Sequence, residues 1–162
     1  MRIIVISDTH GFYNRLYGIV MRNPKADAFI HLGDCVDECR DLLRNFPDLA
    51  EKFFYVRGNC DYGSDAPVSK IIDIAPGHRI FAAHGDRFGV KYDLGTLIIT
   101  AKENGCDIAL FGHTHERLCT YEDGVYIMNP GSAACPRDGQ PPSYGFIDIT
   151  DAGIVTNNVS VT

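Results

Sequence analysis

At 162 residues the chain can bury one substantial core but is too short for two ordinary domains, so a single domain over 1–162 is expected. A hydrophobic content of 45% and a charged content of 22% are those of a globular protein. The net charge of −6 excludes a non-specific binder of long nucleic acid, which needs a basic face, and no apolar run reaches the roughly 20 residues of a membrane span.

Residues 2–7 form an apolar run predicted to be the first strand. Leu16, Ile19 and Val20 have helical spacing and predict a helix over 14–22, closed by Asn23-Pro24. A second strand is expected over 28–32. A helix over 37–46 follows, with Leu42, Leu43 and Phe46 on one face, Asp37 at its start and Pro47 as its stop. A third strand spans 53–56. This βαβαβ order predicts a parallel sheet with right-handed crossovers. Beyond a loop at 63–67, runs at 70–75 and 79–83 flank Pro76-Gly77 as a hairpin. A third helix is expected over 94–103 and a strand over 107–111. Asp123-Gly124 between runs at 118–121 and 125–128 is a hairpin signal. Asn129-Pro130-Gly131-Ser132 opens a Pro- and Gly-rich loop running to 142. Runs at 144–149 and 154–161 form a last hairpin. The first half is α/β and the second mostly β, so two packed sheets with helices outside would accommodate both.

Five of these runs end alike, in a metal-capable side chain beside a glycine. They lead into Asp8-Thr9-His10-Gly11, Gly33-Asp34-Cys35-Val36-Asp37, Gly58-Asn59-Cys60-Asp61, His84-Gly85-Asp86 and Gly112-His113-Thr114-His115. Ligands of open α/β sheets bind off the carboxyl ends of the strands. In an extended chain residues i and i+2 point the same way, so His113 and His115 are expected to face one pocket, as are Asp8 and His10. The candidate metal ligands are Asp8, His10, Asp34, Asn59, His84, His113 and His115. Oxygen and nitrogen donors in this number suit two divalent cations sharing one carboxylate, with Mn²⁺ favoured and Fe²⁺, Ni²⁺ or Zn²⁺ also compatible. Taken singly, each has a plainer reading: an Asp or Asn beside Gly is usually a turn residue. His31 and His78 lie outside the motifs and are expected to be structural.

The six cysteines contain no C-x-x-C pair. Cys35 and Cys39 read as small buried side chains. The first apolar run is too short for a signal-peptide core, so a cytoplasmic protein with reduced thiols is expected.

In this order, D-x-H, G-D-x-x-D, G-N-x-D, H-G and G-H-x-H resemble the calcineurin-like metallophosphoesterase superfamily. The compact length, Gly58-Asn59-Cys60-Asp61 and the Asn129–Ser132 loop are similar to its small YfcE-like branch of prokaryotic phosphodiesterases. The resemblance implies a four-layer α/β/β/α sandwich of two mixed sheets. It also implies that Asp8, His10 and His115 hold one metal, that Asn59, His84 and His113 hold the other, and that Asp34 bridges them.

Two cations about 3.5–4 Å apart can share a water and bring its pKa from about 15.7 towards 7. The expected activity is hydrolysis of a small phosphodiester by the bridging hydroxide. Many larger relatives resemble G-N-H-D or G-N-H-E, whose histidine is thought to protonate the leaving group; here that position is Cys60, followed by Asp61, and these two are the candidate catalytic residues. A thiol is a poorer donor to an alkoxide than an imidazolium. Arg57 can reach a phosphate oxygen or close a strand-end salt bridge. Ser132 can line the pocket or shape its turn. The alternatives are a phosphomonoesterase on the same site and a protein-interaction scaffold resembling the retromer cargo-recognition subunit, whose metal site is altered. Every ligand position is kept here, which favours an enzyme. The exposed hairpins offer surfaces for a homo-oligomer.

Overall fold

The computed structural model describes residues 1–161. In chain order the elements are β1 (Arg2–Ile6), α1 (Tyr13–Arg22), β2 (Ala28–His31), α2 (Val36–Asn45), β3 (Phe53–Tyr55), β4 (Ser69–Ala75), β5 (His78–Ala83), α3 (Gly95–Glu103), β6 (Ile108–Leu110), β7 (Arg117–Glu122), β8 (Val125–Pro130), β9 (Ser143–Thr150) and β10 (Gly153–Ser160). They form two five-stranded sheets, ordered β10-β9-β1-β2-β3 and β4-β5-β6-β8-β7. The centre of each is parallel: β1 with β2 and β2 with β3 in the first, β5 with β6 and β6 with β8 in the second. Hairpins add antiparallel strands at the edges.

Strand periodicity explains the layers. Along β1, Ile3 and Val5 enter the core between the sheets, where they meet Ile30, Ile80, Ile108, Leu110 and Ile147. Ile4 and Ile6 point the other way, onto Leu16, Ile19 and Val20 of α1 and Cys39 and Leu42 of α2. Both faces of β1 are therefore covered, which is why its sequence is continuously apolar rather than alternating. On the second sheet Phe81, Ala83, Ala109 and Ile127 pack against Leu97, Ile98 and Ala101 of α3. The result is a four-layer α/β/β/α sandwich.

Most boundaries fall within one residue of the sequence expectation, and the largest shift is at the end of β8. Strand β8 continues through Asn129 and Pro130, where the sequence pattern predicts the following loop. The β6 register ends at Leu110 opposite Met128, so Pro130 pairs only with Arg117 of β7. A proline is tolerated at a strand end, where one neighbour has gone. No helix among the described residues is long and apolar enough to cross a membrane.

Candidate metal centre

The turns after β1, β2, β3, β5 and β6 meet at one edge of the sandwich. Their ligand atoms converge in overlapping sets: Asp8, His10 and His115 within 4.8 Å of one another, and likewise Asp8, Asp34 and His84. His10 Nε2 lies 3.2 Å from His115 Nε2. Asp34 Oδ2 lies 3.5 Å from His84 Nε2 and 4.0 Å from His10 Nε2, so it stands between the two ends of the cluster. Asp8 Oδ1 is also central, 3.2 Å from His115 Nε2 and 4.0 Å from His84 Nε2. Asn59 Oδ1 approaches His84 Nε2 at 3.1 Å. His113 joins at the same end, its ring edge-on to His84 with centroids 5.0 Å apart.

The backbone that aims these side chains is left-handed. Among the described residues, the non-glycine residues with positive φ are Asp8 (55°), His10 (46°), Asp34 (49°), His113 (66°), His115 (62°) and the hairpin residue Asp123 (51°). All but Asp123 are expected ligands. Each such residue costs about 1–2 kcal/mol relative to right-handed backbone, and such strain collects at functional sites. The extended geometry expected for His113 with His115, and for Asp8 with His10, is thereby corrected, although all four side chains do reach one centre. His113 and His115 each leave the chain through a left-handed turn, His113 towards His84 and His115 towards His10.

Hydrogen bonds decide which ring nitrogens face inward. His84 Nδ1 donates to Leu32 O at 2.7 Å, and His115 Nδ1 donates to Cys135 O at 2.7 Å. A carbonyl only accepts, so each Nδ1 carries the proton and each Nε2 offers a lone pair to the site. Asp8 Oδ2 accepts from Ser7 Oγ at 2.6 Å and from His113 N at 3.1 Å, whereas the buried Asp8 Oδ1 has no hydrogen-bond partner. A proton on His115 Nε2 would satisfy that oxygen, and the pull of Asp8 raises the His115 pKa despite burial. Burial opposes the charge of Asp8, but His115, His84 and Ser7 prevail and hold its pKa below the usual carboxylate range. Asp34 is likewise held down, against burial, by His84 and Cys60. Ionised carboxylates, inward lone pairs and an orphaned buried oxygen fit a bound divalent cation.

Two glycines permit the close approach. A Cβ on Gly58 would lie 2.1 Å from Asp34 Oδ1, and one on Gly112 would lie 2.0 Å from Ser7 Oγ and 2.7 Å from Asp8 Oδ2. Gly112 therefore does more than end a strand.

The family model of the calcineurin-like phosphoesterase superfamily domain matches residues 1–152. The chain belongs to the calcineurin-like phosphoesterase superfamily. Within it, the probable metallophosphoesterase YsnB of Bacillus subtilis is 33% identical over 157 residues, 96% of this chain and 89% of YsnB. The phosphodiesterase YfcE of Escherichia coli is 31% identical over 118 residues, 68% of this chain and 60% of YfcE. A crystal structure of a Streptococcus pneumoniae protein, a predicted phosphoesterase, superposes with a TM-score of 0.83 at 28% identity, covering 98% of this chain and 88% of that one. The wild-type Vps29 of Entamoeba histolytica complexed with Zn²⁺ has the same fold, with a TM-score of 0.73 at 24% identity over 98% of both chains.

The remaining family positions have distinct surroundings. Asp61 Oδ2 accepts from Asp34 N at 2.9 Å and Gly58 N at 2.7 Å, and Asp61 Oδ1 accepts from Val36 N at 2.7 Å. It braces the loops that carry Asp34 and Asn59. The exposed Cys60 donates its N–H to Asp34 Oδ1 at 2.8 Å. Burial and the Asp34 and Asp61 carboxylates push its thiol up to about 11. Arg57 donates from Nη1 to Ser64 O at 3.1 Å and lines a cleft of about 300 Å³ with Asn59, Asp61, Tyr62, Asp86 and Arg87. The structure does not bring Ser132 to that cleft. Its buried hydroxyl donates to Asp8 O at 2.7 Å and accepts from Cys135 N at 2.7 Å and Ala134 N at 3.1 Å. It shapes the turn.

Sequence reasoning missed two supports. Ser7 holds the outer oxygen of Asp8, and Asn129 Nδ2 donates to Gly112 O and Thr114 Oγ1, each at 2.9 Å. The Asn129–Ser132 motif signalled the second; nothing about a lone Ser before Asp8 signals the first.

Proposed function

We propose that this chain is a phosphoric ester hydrolase that uses two divalent cations, Mn²⁺ foremost, to cleave a small phosphodiester. The observation that carries this reading is the orphaned Asp8 Oδ1, buried among three imidazoles whose orientation the backbone constrains at His84 and His115. When bound, such a cation pair supplies an activated water and neutralises the charge that develops on phosphorus. Asp8, His10 and His115 are assigned to one ion, Asn59, His84 and His113 to the other, and Asp34 to both.

The chain's own residues do the rest. The Asp61 bonds keep Asp34 and Asn59 in register. Arg57, at the wall of the cleft beside Asn59, is assigned to a phosphate oxygen. Cys60, exposed next to Asn59, is assigned to the leaving-group side. The cleft is small and suits a compact diester. We assign this activity to the one domain, acting in the cytoplasm. Fold likeness to Vps29 says nothing of protein contacts here, and a full ligand set favours the enzyme.

The test is a hydrolysis panel of cyclic nucleotides, dinucleotides, glycerophosphodiesters and monoesters. It is run in chelator-treated buffer with each cation added back. Diester turnover that needs an added cation is expected. Preferential turnover of monoesters would replace this reading with a phosphomonoesterase on the same site.

A further inference from the structure

A third set of donors overlaps the two already described. One ligand atom each from His10, Asp34 and Cys60 lies within 4.8 Å of the others. Cys60 belongs to neither of the assigned ligand sets. We infer that Cys60 joins His10 and Asp34 in an alternative seat for a thiophilic divalent cation, Zn²⁺ or Cd²⁺, at the mouth of the site, sharing two ligands with the proposed cation pair.

The donor chemistry separates this seat from the others. Thiolate sulfur with imidazole nitrogen and carboxylate oxygen is a set that Zn²⁺ takes readily, whereas Mn²⁺ favours harder oxygen donors over thiolate. The sulfur is held in place. The Cys60 N–H bond to Asp34 Oδ1 fixes the residue against the same carboxylate whose Oδ2 faces inward. Asn59 Nδ2 points at Cys60 Sγ from 3.4 Å, a donor aimed at the sulfur lone pairs. Cys60 is exposed, so an ion can reach it from solvent. His10 is the adaptable partner: it is only half-buried, and among the described residues no backbone carbonyl holds its ring as Leu32 and Cys135 hold those of His84 and His115.

Occupation is a plain exchange. The Cys60 thiol releases its proton to water, the sulfur–cation bond forms, and nothing is oxidised. An ion seated there draws His10 and Asp34 away from the productive pair and removes the thiol from the leaving-group side. Zn²⁺ or Cd²⁺ added to the Mn²⁺-loaded protein is then inhibitory. The inhibition rests on the hydrolase reading above; the seat itself does not.

The experiment titrates the full metal-free chain with Cd²⁺ alone and follows the ultraviolet charge-transfer absorption of a cadmium–thiolate bond. Cys60→Ser and Cys119→Ser are carried in parallel. Cys119 is also exposed but lies on the β7 edge strand. The wild type and Cys119→Ser are expected to develop the band, and Cys60→Ser to lack it. Loss of even an outer partner of a metal ligand costs about 10–100-fold in affinity, and Cys60→Ser is expected to weaken Cd²⁺ binding by at least that factor. Inhibition of Mn²⁺-supported hydrolysis by Cd²⁺ should weaken in parallel. A band that survives Cys60→Ser, or no band in the wild type, overturns the seat. If the band behaves as expected but no variant hydrolyses any ester, the seat stands and the hydrolase reading fails.

Discussion

Ser132 Oγ donates a 2.7 Å hydrogen bond to Asp8 O across 124 residues of chain. It joins the turn after β8 to the turn that presents the first candidate metal ligand. The same hydroxyl takes two backbone N–H groups, from Ala134 and Cys135, so one side chain organises both loops.

Ser132→Ala is expected to strand the buried Asp8 O, while the part-buried N–H groups of Ala134 and Cys135 can turn to water. Each unsatisfied buried partner costs about 1–3 kcal/mol. Denaturant unfolding of the metal-free protein should show a loss in that range, with weaker Mn²⁺ binding by calorimetry. If the hydroxyl instead contacted substrate, stability would be unchanged and only KM would rise.

Metal removal should abolish hydrolysis and Mn²⁺ should be among the best restorers. On the proposed reading the cations bind only the folded state, so adding them should also raise the unfolding midpoint, by mass action. Full turnover in a preparation shown to be metal-free by elemental analysis would sink the mechanism.

Asp34→Asn should reduce turnover more than loss of a ligand that serves one ion alone. Its Oδ2 stands between His84 and His10, and the amide removes the charge that both cations share. Bound metal and rate are measured together. Two retained ions with a normal rate would refute the bridging assignment.

The position of Cys60 predicts a dependence on leaving group. Aryl diesters, whose leaving groups need little protonation, should be hydrolysed much faster than alkyl diesters. Cys60→His should improve the poor leaving groups selectively, within the roughly 10²–10⁴-fold scope of general acid catalysis. A uniform change across the series would make Cys60 a packing residue.

His31 gives the metal-free protein an acid-sensitive term. Its Nδ1 accepts the Gly33 N–H at 3.2 Å and its Nε2 meets Thr9 Oγ1 at 3.1 Å. Burial lowers its pKa to about 4 from an ordinary 6.5. Between those values the unfolded chain binds a proton that the folded one refuses. The contribution is therefore fully present above about pH 6.5 and is lost as pH falls towards 4, at about 1.4 kcal/mol per pH unit. The stability gap between wild type and His31→Gln should narrow along that slope; a gap independent of pH would count against it.

The sequence by itself determined the order of elements and the identities of the candidate ligands. Periodicity reports which faces are covered, and a strand end followed by glycine and a metal-capable side chain is a local pattern. The direction of each side chain was a tertiary matter. Asp8 and His10 take left-handed backbone while their N–H groups bond Gly33 O and Asp34 O at 3.1 and 3.0 Å. Those partners are remote in sequence. Asp and His tolerate that conformation without requiring it, so residue type alone does not reveal it. The same holds for Asp61 and Ser132: a carboxylate beside a family motif and a hydroxyl in a Gly-rich loop look like chemistry in the sequence. Only the packed structure shows that their oxygens bond backbone groups, because a buried polar group must find a partner and the nearest ones come from other strands.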